Sequence, residues 1–148
     1  MGSLISLKSW IKRNLEMFTL GSPVQRLATQ DEVEALMSAQ GGAALLDFWS
    51  PTCGPCQVMG PLLEAVAKQF EGQPIRFCHI NTVESPEILT AFRIQAVPTM
   101  LFVLNGEIVD LVVGKLDGPG LVSKVEELMS RARGEGFWHR LFGIKKKS

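Results

Sequence analysis

Residues 45–70 read LLDFWSPTCGPCQVMGPLLEAVAKQF: an apolar run, two cysteines with glycine and proline between them, then apolar residues at helical spacing. The run from Ala43 to Trp49 is short and nearly all apolar, which predicts a strand buried in a sheet. Cys56 to Phe70 predicts a helix, with a kink at Pro61. Cys53 therefore sits between strand and helix. Unpaired backbone N–H groups and the positive end of the helix dipole stabilise a thiolate there. The thiolate is the attacking species in disulfide exchange, and a lowered pKa supplies it near neutral pH. Cys56 follows one helical turn later. Gly54 and Pro55 keep the turn tight, and Pro55 stands where a helix tolerates a missing N–H.

Working outward, Val24 to Leu27 predicts a short strand. Thr29 and Glu32 have the spacing of a capping box, so a short helix follows with Val33, Leu36 and Met37 on its apolar side. Gly41-Gly42 ends it. Ile75 to Asn81 predicts a strand. Ser85-Pro86-Glu87 marks a helix start, with Ser85 as the cap. Thr99 to Leu104 and Glu107 to Val113 predict strands joined by the tight turn Asn105-Gly106. Asp117-Gly-Pro-Gly precedes a helix carrying Leu121, Val122, Val125, Leu128 and Met129. The order is βαβαβαββα. Crossovers through helices make parallel neighbours and a two-residue hairpin makes antiparallel ones, so the expected fold is α/β: a mixed central sheet with helices on both faces.

The 148 residues have a formal net charge of zero, but the charge is unevenly spread. Residues 1–27 carry a net +3, residues 28–130 a net −8 and residues 131–148 a net +5. Leu4, Leu7, Ile11, Leu15 and Phe18 fall at helical spacing among basic residues near the N-terminus. Phe137, Trp138, Leu141, Phe142 and Ile144 alternate with basic residues near the C-terminus. The division expected is an amphipathic extension over 1–22, a redox domain over 23–132 and a basic aromatic tail over 133–148. Basic, amphipathic ends of this kind suit an anionic membrane surface or an acidic protein partner. No recognition fold for nucleic acid is visible, so none is expected as partner. With three cysteines, no secretory signal and no apolar run of spanning length, a cytoplasmic protein, peripheral to a membrane at most, is the expectation.

The segment DFWSPTCGPCQVMGPLL resembles the active-site region of the thioredoxin family, whose signature is Cys-Gly-Pro-Cys. The resemblance continues through FCHIN, AVPTMLFVLNGE and VVGKL, and covers roughly residues 24–130 in order. It implies the thioredoxin fold and a thiol–disulfide oxidoreductase that reduces protein disulfides. By the same resemblance Cys53 is the nucleophile and Cys56 the resolving thiol. Asp47 is the buried acid behind Cys56. Val97 and Pro98 form the loop whose cis-proline docks target backbone, Gly114 lines the target groove, and Trp49 joins them in binding the target. The implied partners are disulfide-containing proteins and, as electron donor, thioredoxin reductase. No bound cofactor is implied. Three positions depart from the family pattern: Thr52 replaces the usual Trp, Gln57 the usual Lys, and His79 a common Lys near the buried acid. A histidine there titrates near neutral pH, whereas a lysine stays cationic.

Each of these residues also has a plain structural reading. The cysteine pair is half of a zinc site, or two inert thiols. A structural zinc wants four ligands. Cys78 and His79 are strand neighbours that point to opposite faces, so they cannot both join the pair, and no metal is expected. Cys78 reads as a buried core residue. Asp47 lies in an apolar strand, where an unpaired carboxylate is costly, so it is either functional or locally paired. The rival function is a docking or assembly module on this fold, with the two basic ends carrying the activity.

Overall fold

The computed structural model of the chain describes residues 22–38, 40 and 42–135. The apolar and basic residues singled out before Ser22, and the aromatic residues from Phe137 onward, lie outside the described residues, as do the attachments expected of them. Among the described residues no helix is long and apolar enough to cross a membrane.

Five strands form one sheet in the order β1-β3-β2-β4-β5. They are β1 (Val24–Arg26), β2 (Ala43–Trp49), β3 (Ile75–Asn81), β4 (Thr99–Leu104) and β5 (Glu107–Val113). Four helices connect or follow them: α1 (Gln30–Leu36), α2 (Gly54–Gln69), α3 (Pro86–Ala91) and α4 (Gly118–Ala132). β3 lies between β1 and β2 and pairs parallel with both, because helical crossovers join these strands. β2 pairs antiparallel with β4, and β4 with β5. The sheet is thus mixed, as the element order predicted.

β2 is the middle strand, and its alternation decides what lies on each side. Leu45 faces a core built with Met59, Leu63 and Val66 of α2 and Leu121, Val125 and Leu128 of α4. Leu46 and Phe48 face the other core, with Val33 and Leu36 of α1, Ile88 of α3 and Cys78. By the period of two, Asp47 leaves the sheet on the Leu45 side, under α2. A carboxyl side chain in this strand therefore has nowhere to go but inward.

The local signals mostly hold. Thr29 and Glu32 form a complete capping box on α1. Asn105 and Gly106 both have positive φ, 50° and 82°, in the β4–β5 turn. A Cβ at Gly106 would stand 2.4 Å from the Met37 carbonyl oxygen, so close approach as well as conformation demands glycine. Two expectations need correction. Helix α2 begins at Gly54, two residues before Cys56, because Cys53 itself caps it. It runs through Pro61 as one helix, with the proline on its exposed side. Ser85 makes no side-chain cap to α3; its hydroxyl donates instead to the Ala28 carbonyl at 2.8 Å and ties α3 to the end of β1.

Candidate active site

Cys53 is the N-cap of α2, and its Sγ accepts a hydrogen bond from the Cys56 backbone N–H at 3.2 Å. That N–H is one of the unpaired donors of the first turn, so it would favour negative charge on the sulfur of the reduced pair. Cys53 and Cys56 are joined as a disulfide with their Cα atoms 5.2 Å apart. Cys53 is partly exposed and Cys56 is 4% exposed, so one sulfur meets solvent and the other faces inward.

Behind Cys56 lies a cleft of about 420 Å³ lined by Asp47, Trp49, Gly60, Glu64 and His79, among others. Asp47 is 3% exposed. Its Oδ1 is buried with no hydrogen-bond partner among the described residues. Two other buried polar side chains nearby are bonded: Thr99 donates to Ala96 at 2.7 Å, and Asn81 accepts from the Val83 N–H at 3.0 Å. Burial pushes the Asp47 carboxyl up to about 7, because desolvation disfavours its charged form. An acid in that range can exchange a proton at physiological pH. His79, half-buried, is the register partner of Asp47 on β3. Desolvation holds its imidazole below the ordinary value; the Glu64 carboxylate opposes this and the Arg26 cation adds to it.

On the other side of the disulfide loop, the Val97–Pro98 peptide is cis. The Gly114 N–H donates to the Pro98 carbonyl at 2.8 Å, so the loops before β4 and after β5 are held together. Gly114 has φ 94°, open to glycine alone without strain. Trp49 lies in the cleft, its ring 6.0 Å from that of His79, with its indole N–H buried and without a partner among the described residues. Thr52 and Gln57 are exposed on the rim. Gln57 donates to the Pro51 carbonyl at 3.2 Å, a local tie that brings no charge to the site. Cys78 is fully buried on the opposite face, and burial pushes its thiol up to about 11. It takes no part in the pair. Glu64 is the residue that sequence reading missed. Cys56, Gly60 and Glu64 are four apart, so they share one face of α2. That spacing was the available signal.

A capped, partly exposed sulfur bonded to an inward one, with a buried acid behind it, is an arrangement able to carry dithiol–disulfide exchange. Residues 24–127 match the thioredoxin family model. The chain belongs to the thioredoxin family. It is 42% identical over 83 residues to an M-type chloroplastic thioredoxin of Pisum sativum, covering 56% of this chain and 48% of that one. It is 39% identical over 85 residues to a thioredoxin of Chlorobaculum thiosulfatiphilum, covering 57% of this chain and 78% of that one. The chain thus spans about half the length of the pea relative and most of the bacterial one. Among solved structures it superposes on Malassezia sympodialis thioredoxin with a TM-score of 0.64 at 29% identity, covering 72% of this chain and 90% of that one.

Proposed function

We propose that this protein reduces disulfides in other proteins by thiol–disulfide exchange. The observation that carries this reading is the capping of α2 by the Cys53 sulfur, which the Cys56 N–H stabilises. In the reduced protein the Cys53 thiolate attacks one sulfur of the target disulfide. A Cys53–target mixed disulfide forms and one target thiolate leaves. Target backbone docks along Val97-Pro98 and beside Gly114. Asp47 takes the proton of the Cys56 thiol, and the Cys56 thiolate attacks the Cys53 sulfur. The second target thiolate leaves and the Cys53–Cys56 disulfide closes. An upstream dithiol, of the kind a thioredoxin reductase presents, returns the pair to its reduced form.

The Gly54-Pro55 dipeptide between the cysteines supports the reducing direction, since thioredoxin has a potential of about −270 mV against about −120 mV for strongly oxidising relatives. The test is turbidity from reduction of insulin disulfides by dithiothreitol, with and without the protein. The full chain accelerates the reaction and Cys53→Ser does not. Equal acceleration by Cys53→Ser removes the reading.

A further inference from the structure

Resolution by Cys56 leaves a proton on Asp47, a carboxyl almost wholly withdrawn from solvent. Asp47 is 3% exposed, and no side chain among the described residues bonds its Oδ1. Two other acid–base groups line the same cleft, Glu64 from α2 and His79 from β3. Asp47 and His79 are directly paired in the parallel β2–β3 register. Their side chains leave the same face of the sheet from backbones about 5 Å apart. His79 is half-buried, so it meets both the cleft and the surface.

Charge around the imidazole comes from three elements. Asp47 faces it from β2. Glu64 faces it from α2, with one carboxylate oxygen held by the Ser22 hydroxyl at 2.8 Å. Arg26, its register partner on β1, acts from the outer side and is tied to Glu84. The Trp49 ring flanks it at 6.0 Å.

We propose that His79 carries the proton of the resolving step from Asp47 to solvent, with Glu64 stabilising the imidazolium while it lasts. The Cys56 thiol loses a proton to the Asp47 carboxylate, giving thiolate and carboxylic acid. The thiolate displaces the target sulfur, so one S–S bond forms as another breaks and the electron pair departs with the target thiolate. Asp47 then gives its proton to neutral His79, and the imidazolium gives it to water. Both groups end the cycle as they began it. Burial favours the neutral, proton-accepting imidazole, and the Glu64 carboxylate opposes that shift by favouring the imidazolium. Histidine is suited to this because its unperturbed pKa lies closest to neutrality among the side chains.

The proposal rests on Asp47 being the base for Cys56, so the test separates the two ideas. Reduced full-length protein is mixed with an aromatic disulfide whose released thiolate is coloured, and two phases are followed by stopped flow from pH 5 to 9. The first is attack by Cys53 and the second is resolution by Cys56. In His79→Gln the first phase is unchanged, and the second slows by about tenfold or more near pH 7, at or below the usual scale of a lost acid–base group. Added imidazole buffer restores it. On the unsubstituted chain the second phase does not depend on buffer concentration. An unslowed second phase in His79→Gln overturns the relay, as does equal slowing of both phases. A buffer-dependent second phase in the unsubstituted protein overturns it without any substitution. Loss of the second phase's pH dependence in Asp47→Asn, by contrast, tests the base on which the relay rests.

Discussion

Replacing Asp47 by asparagine keeps the size and polarity of a buried side chain and removes its ability to ionise. The unfolded chain gives this carboxyl a pKa near 3.8, and burial raises it to about 7 in the fold. Below about pH 4 both states hold the proton, and the group has no pH-dependent effect. Between about 4 and 7 the unfolded chain ionises while the folded one does not, so stability falls by about 1.4 kcal/mol per pH unit. Above about 7 both are ionised and the loss is complete, at about 4 kcal/mol. Asparagine escapes that loss. Because Asp47 Oδ1 already lacks a partner among the described residues, the swap strands little that was paired. Asp47→Asn is therefore expected to match the parent at pH 3 and exceed it by about 4 kcal/mol at pH 8, or roughly 10–20 °C in Tm. Urea unfolding of the oxidised protein at half-unit pH steps reads the difference directly. A difference that stays constant with pH, or an asparagine variant less stable at pH 8, would refute the buried-acid argument.

Other substitutions test separate parts of the structure. Cys56→Ser should accumulate mixed disulfides with target proteins, visible as reducible adducts on a gel, and Cys53→Ser should not, because only the capped sulfur attacks. In the reduced native protein, iodoacetamide at pH 8 should spare Cys78, which mass spectrometry of peptides would report; labelling as fast as Cys53 would mean that its burial is not as described. Gly106→Ala should cost about 2–4 kcal/mol, since it combines positive φ with a backbone clash against Met37, and urea unfolding would show it. Thr29→Ala removes half of the α1 capping box and should cost about 1 kcal/mol by the same measurement.

The fold was legible where neighbouring residues in the chain decide the local structure. The Thr29–Glu32 spacing, the Asn105-Gly106 turn and the apolar run of β2 each carry their own physics, and each strand begins within a residue of expectation. Asp47 was legible for the same reason, because a carboxyl in an apolar strand is anomalous on its face. What sequence reading lost were contacts across the chain. Ser85 looked like a cap, but a carbonyl 57 residues away, at Ala28, takes its hydroxyl. Glu64 looked like one surface acid among many on α2, and only the packing of α2 over β2 and β3 turns it toward His79. The contact of the Trp49 ring with His79, 30 residues away, was likewise invisible in the sequence.

The two cysteines have their Cα atoms 5.2 Å apart. Positions three apart on any α-helix are separated by about 5 Å, from its rise and radius alone. The bond therefore spans a gap that the helix sets whether or not the bond exists. Making or breaking it asks no backbone to move, and the closed loop is so small that little chain entropy is at stake. Such a molecule has two chemical states and one shape. A partner that must tell the charged form from the spent one cannot feel for an altered outline. Among the described residues, what such a partner can meet is the exposed face of Cys53, one sulfur wide.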